Sequence, residues 1–159
     1  MTDFSKIVSK ERILIGDDTS NIKTKRELFY SMAETFLKSE IIKSVPEFLA
    51  SLDERENQGS TYMGNYIAIP HGDSDTVKSS SLSICILNNP IEYSSYGESG
   101  LVKYIFMFAI EKSTAGTVYL KMLADLARQL MDENFIKKIE SASNDREIVY
   151  LLSKKGREK

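Results

Sequence analysis

The stretch from Leu101 to Ile110 limits the possible folds of this chain more than any other. It is the longest apolar run, dense in Val, Ile, Phe and Tyr, and it shows no polar alternation. That pattern predicts a central strand buried on both faces. A strand hidden on both sides needs helices above and below it, and helical patterns flank the run on both sides in sequence.

Ahead of it, Thr24-Lys25-Arg26-Glu27 has capping-box spacing, and Leu28, Phe29, Met32, Ala33, Phe36 and Leu37 follow at steps of three and four. This predicts a helix that leaves Lys25, Glu34 and Lys38 outside. Ser44-Val45-Pro46-Glu47 repeats the start signal, with Phe48, Leu49 and Leu52 on the buried side, and this helix is expected to run to about Glu56. Behind the central strand, Val118 to Leu130 carries Tyr119, Met122, Leu123, Leu126, Ala127 and Leu130 at helical spacing. Phe135, Ile136 and Ile139 mark a short helix, and Asn144 with Glu147 opens a last one carrying Ile148, Leu151 and Leu152. Further strands are expected at Ile13–Ile15, at Tyr66–Ile69 and at Leu82–Leu87, the last closed by Asn88-Asn89-Pro90. Residues 1–12 force no structure, 73–81 and 94–100 are expected as loops, and the charged tail from Lys154 as frayed. Grouped helices around a few buried strands argue an α+β fold, a three-layer α/β/α sandwich with a mixed central sheet. A length of 159 residues, with no repeat and no Gly-rich linker, predicts one domain over 1–159.

The 21 basic and 23 acidic residues leave a net charge of −2, so no basic field exists for a nucleic-acid backbone. Small ligands and protein partners remain. The single cysteine, Cys85, lies in an apolar segment and reads as an inert core thiol, which fits a reducing cytoplasm. The amino terminus lacks the apolar core of a signal peptide. No run approaches the roughly 18 apolar residues that span a bilayer, so membrane insertion is not expected and membrane association would come through a partner.

The single histidine, His71, stands in Ile69-Pro70-His71-Gly72. Proline cannot donate to a sheet ladder, so the preceding strand should stop at Pro70 and deliver His71 to its end. Gly72 beside it removes a side chain and would let a partner or a phosphoryl group approach. An imidazole in such a place is a proton acceptor, a metal ligand, a nucleophile or simply a turn cap. Zinc is excluded by inventory: one histidine and one distant cysteine cannot supply three or four nitrogen or sulfur ligands. No G-x-S-x-G elbow and no Walker loop occurs; a Ser60 or Ser74 nucleophile with His71 as base stays open but unsupported. Phosphoryl transfer needs less: a neutral imidazole as nucleophile, and groups that hold charge on three equatorial oxygens. Arg55, at the predicted end of the second helix, offers a planar fork matched to phosphate, or is an ordinary solvated charge. Ser60 and Thr61 offer hydroxyls to a ligand or to their own turn.

The segment Gly64-Asn65-Tyr66-Ile67-Ala68-Ile69-Pro70-His71-Gly72, preceded by Arg55-Glu56 and Ser60-Thr61, resembles the phosphorylation site of the mannitol/fructose-type enzyme IIA domains of the bacterial phosphoenolpyruvate-dependent sugar phosphotransferase system. The likeness extends from about Ile13 to Leu152. It implies a mixed sheet with helices on both faces and a phosphohistidine carrier with His71 as the phosphorylated nucleophile. It also implies Arg55 as the phosphate-stabilising arginine, with Thr61 and Ser60 supporting, and neither cofactor nor metal. The implied partners are the histidine phosphocarrier protein as donor and a IIB component as acceptor, on a cysteine by family practice, with a membrane IIC reached only indirectly. The chain departs from many members at Tyr119, where they place a second histidine near the phosphorylated one. Tyr119 is either a further supporting group or a packed aromatic. The same type of domain also occurs in phosphotransferase-controlled transcription regulators, and that regulatory role is the alternative. Met1 and the lack of a DNA-binding segment favour a free-standing carrier. The residues do not reveal the sugar.

Overall fold

The computed structural model describes residues 4–95, 98–112 and 117–153. Among them a six-stranded mixed sheet lies between two layers of helix. The strands are β1 (Ile13–Ile15), β2 (Tyr62–Gly64), β3 (Ile67–Ala68), β4 (His71–Ser74), β5 (Ser81–Ser95) and β6 (Glu98–Glu111). The helices are α1 (Lys25–Lys38), α2 (Val45–Glu56), α3 (Thr117–Leu130), α4 (Glu133–Ser141) and α5 (Asp145–Leu152). The sheet order is β1-β5-β6-β3-β2, with β4 also on β6. β1 runs parallel to β5, β5 antiparallel to β6, and β3 and β4 both parallel to β6.

The central run behaves as its composition demands. Ile105, Met107 and Ala109 face α1 and α2, while Tyr104, Phe106, Phe108 and Ile110 face the layer of α3, α4 and α5. Successive side chains of a strand point to opposite faces, so only a strand covered on both sides can be apolar at every position. Thr24, Ser44 and Asn144 each accept a hydrogen bond from the amide three residues on, closing the starts of α1, α2 and α5 as their sequences predict.

Several boundaries differ from expectation. Asn88-Asn89-Pro90 does not close β5: residues 87–90 bulge opposite the single residue Lys103, and pairing resumes at Ile91 with Val102. A bulge tolerates proline because its extra residues leave the ladder. The expected loops at 73–81 and 94–100 are shorter: β4 reaches Ser74, β5 begins at Ser81, and residues 98–100 belong to β6. The buried strand over Tyr66–Ile69 is reduced to Ile67–Ala68. Asn65 and Tyr66 take φ of 53° and 68° in the tight β2–β3 turn, which leaves the Tyr66 ring 47% exposed. Near the amino terminus, Phe4 is fully buried, and the buried Arg12 donates to the Leu82 and Ile7 carbonyls, so tertiary contacts hold residues 4–12, whose sequence alone forces no structure. The tail from Lys154 lies outside the described residues. No helix of the described residues is long and apolar enough to cross a membrane.

Candidate functional site

Pro70 interrupts the strand as expected, but the chain resumes at once. β3 pairs with Tyr104 and Ile105, the Pro70 carbonyl accepts from the Phe108 amide, and β4 then pairs with residues 108–111. His71 therefore begins a strand instead of ending one. This placement aims its side chain at the last turn of α2.

Gly72 explains how the strand comes so close to the helix. A β-carbon there would sit 2.3 Å from Ser51 Oγ and 3.1 Å from the Leu52 amide nitrogen, both on α2. The space freed by glycine is occupied by the helix and is not kept for a partner or a phosphoryl group as the sequence predicts.

At that contact Arg55 Nε donates to His71 Nε2 at 3.1 Å, and Arg55 Nη1 donates to the Gly59 carbonyl at 2.8 Å. A guanidinium nitrogen can only donate, so Nε2 is the unprotonated ring nitrogen, and the neutral imidazole carries its proton on Nδ1. Nδ1 donates to the Ile69 carbonyl at 3.1 Å, which fixes that tautomer. Burial lowers the pKa of His71 below the ordinary histidine value, and the Arg55 charge pushes the same way. The Ile69 hydrogen bond and the charges of Glu56 and Asp73 pull against them. The net result is a neutral ring with an in-plane lone pair at Nε2, beside a fixed cation.

A cleft of about 320 Å³ opens in front of the ring, walled by Ser51 and Arg55 of α2, Gly72 and Asp73 of β4, and Tyr119 and Leu123 of α3. His71, Arg55 and Tyr119, far apart in sequence, thus line one space. Ser60 and Thr61 are not among the residues lining it. Ser60 Oγ accepts from the Tyr62 amide at 3.1 Å within its own turn. The buried Thr61 donates its hydroxyl to Glu56 Oε2 and lies 2.7 Å from the Tyr93 hydroxyl. Glu56 also pairs with Lys25 at 3.0 Å. Lys25 is accordingly not on an outer face; it is tucked over the Tyr93 ring, 4.3 Å from its centroid. Burial and the nearby Glu56 charge push the Tyr93 phenol strongly upward, so it remains a neutral donor.

Glu56 and Tyr93 escaped the sequence reading as members of this constellation. The Arg55-Glu56 pair was visible, but Glu56 falls at the end of a helix where a solvated carboxylate is the common outcome. Tyr93 sits in β5 with no local signal for a hydroxyl partner 32 residues away. Among the described residues no group of three or more His, Cys, Asp or Glu side chains is arranged to hold a metal ion.

The profile of the family described as "Phosphoenolpyruvate-dependent sugar phosphotransferase system, EIIA 2" matches residues 6–155. The chain belongs to this family. It is 26% identical over 151 residues to the mannitol-specific phosphotransferase enzyme IIA component of Bacillus subtilis, covering 93% of this chain and 97% of that one. It is 32% identical over 148 residues to a nitrogen regulatory protein homolog of Haemophilus influenzae, covering 91% of this chain and 87% of the relative. The fold matches that of enzyme IIAMTL in its complex with phosphorylated enzyme IIBMTL from Escherichia coli, with a TM-score of 0.71, 21% identity, and coverage of 91% of this chain and 96% of that one. Other relatives are much longer than this chain, which spans 20% of one and 17% of another. The expected mannitol/fructose-type IIA family and the layered fold with a mixed sheet are both borne out.

Proposed function

We propose that residues 1–159 form one IIA unit that accepts a phosphoryl group on His71 Nε2 from the histidine phosphocarrier protein and passes it to a IIB component for sugar uptake. The observation that carries this reading is the Arg55–His71 contact, with a neutral ring whose Nδ1 is tied to a carbonyl and whose Nε2 is presented to a cation.

In the proposed step the Nε2 lone pair forms the new P–N bond as the bond to the donor's ring nitrogen breaks, and the leaving electron pair returns to that nitrogen. Arg55 slides from Nε2 onto the phosphoryl oxygens as they arrive, exchanging one hydrogen bond for the two-pronged contact that guanidinium makes with phosphate. Nδ1 keeps its proton, so the phosphorylated ring gains positive charge facing the Ile69 carbonyl. Onward transfer reverses these movements, with the IIB thiolate attacking phosphorus and the electron pair returning to Nε2. No cofactor or metal enters this scheme, and the exchange takes place in the cytoplasm.

Incubation with phosphoenolpyruvate, enzyme I and the phosphocarrier is expected to add one phosphoryl group, acid-labile and base-stable, that is missing from His71→Ala by intact-mass measurement. Equal labelling of the variant, or none in wild type, overturns the reading. A second reading, a regulatory module whose phosphorylation switches a partner, is favoured by the likeness to the nitrogen regulatory protein homolog. Mixing the phosphorylated chain with IIB components separates the two: discharge onto a IIB cysteine supports transport, and retention of the label supports regulation.

A further inference from the structure

Beneath the cleft, one line of hydrogen bonds reaches both ends of the Arg55–His71 contact, and Thr61 stands at its junction. On one side the Thr61 hydroxyl donates to Glu56, the residue after Arg55, and the Glu56 carbonyl accepts the Gly59 amide at 3.2 Å. Gly59 in turn supplies the carbonyl that clamps Arg55 Nη1. On the other side the Thr61 carbonyl accepts the Ile69 amide at 3.1 Å, and the Ile69 carbonyl receives the Nδ1 proton of His71. The Glu56 carboxylate is anchored from the opposite direction by Lys25, and the Thr61 hydroxyl by Tyr93.

Resting on the phosphohistidine reading, we propose that Glu56 and Thr61 are positioning residues that set where the guanidinium meets the imidazole and which ring nitrogen is free to react. Neither lines the cleft in front of His71. Both are buried, Glu56 at 5% and Thr61 at 5% exposure, so no phosphoryl group in the cleft meets them. A carboxylate buried to this degree is costly unless paired. Here it joins three separate elements at one point: Lys25 of α1, the end of α2, and the turn before β2. The turn from Asn57 to Ser60 is thereby held at both ends, and with it the Gly59 carbonyl. A one-ångström displacement in a reacting pair is enough to cost much of the rate.

Thr61→Val removes the hydroxyl while keeping the shape; Thr61→Ser keeps the hydroxyl; Glu56→Gln keeps an acceptor oxygen but loses the charge that holds Lys25. Two readouts are taken on folded protein: the rate of phosphoryl uptake from the phosphocarrier, and the His71 tautomer from imidazole nitrogen NMR. Wild type is expected as the Nδ1–H tautomer. Thr61→Val and Glu56→Gln should slow uptake by roughly tenfold or more and mix the two tautomers, and Thr61→Ser should restore both. A general loss of stability would not change the tautomer of molecules that remain folded. Wild-type rate and tautomer in Thr61→Val, or a Thr61→Ser as impaired as Thr61→Val, overturns the proposal. Should wild type accept no phosphoryl group, the phosphohistidine reading fails alone, and the tautomer measurement still decides whether these residues position His71.

Discussion

The two walls of the His71 cleft are built on different principles. On the α2 side the groups that meet or back the ring are tied down: Arg55 by the Gly59 carbonyl, Ser51 by the Phe48 carbonyl at 2.6 Å, and Glu56 behind them by Lys25 and Thr61. On the α3 side the wall is made of Tyr119, Leu120 and Leu123, and Val118 and Leu120 are 63% and 66% exposed. Hydrogen bonds set direction and distance, whereas exposed apolar side chains offer area with little directional demand. On the phosphohistidine reading proposed above, the chemistry falls to the hydrogen-bonded wall and the apolar wall contributes little to it.

The largest effect should come from breaking the rigid wall at its charge. Arg55→Lys retains the cation but loses the planar fork, and Arg55→Ala loses both. Removing a donor that stabilises developing charge costs on the order of a hundredfold in rate. Arg55→Ala is expected to approach that loss and Arg55→Lys to fall short of it, with thermal unfolding little changed in either. Normal single-turnover rates in Arg55→Ala would remove this residue from the site and dissolve the contrast between the walls.

Packing on the same wall gives the next effect. Gly72→Ala drives a methyl into Ser51 and the α2 backbone, and overpacking of this kind costs about 1–3 kcal/mol. Denaturant unfolding should show that loss, and Ser51→Gly in the same chain should recover part of it, because the nearest atom in the way is Ser51 Oγ. No recovery would mean that the Leu52 backbone, not the serine side chain, sets the limit.

The smallest effect is expected on the apolar wall. A neutral phenol can contribute one hydrogen bond to a phosphoryl group, worth about 0.5–1.5 kcal/mol. Tyr119→Phe should therefore slow transfer by no more than roughly tenfold. Tyr119→His, which puts a second imidazole on the wall of the same cleft, should transfer as fast or faster. A loss beyond a hundredfold in folded Tyr119→Phe would place chemistry on both walls; no change at all would leave Tyr119 a packing residue.

The features legible in the sequence are those whose physics is local. A cap and the amide it accepts lie three residues apart, so Thr24, Ser44 and Asn144 mark their helices without help from the rest of the chain. The apolar run of β6 from Tyr104 to Ile110 requires cover on both faces whatever lies above and below it. Pro70 before His71 interrupts a strand because it lacks an amide proton, wherever that strand lies in the sheet. The remainder depended on which distant segments came together. Asn88-Asn89-Pro90 carries the same turn chemistry in a bulge as at a strand end, and only pairing with β6 decided between them. Lys25 lies at the start of a helix with water as its default partner, until Glu56, 31 residues away, arrives beside it. The Arg55–His71 contact spans 16 residues and exists because β4 packs against α2 through the gap at Gly72. Thr61 and Ser60 are adjacent hydroxyls with equal local claims to the site, yet one is buried against Glu56 and the other closes a turn. That choice follows from the packing of strand on helix, which no periodicity in the sequence encodes.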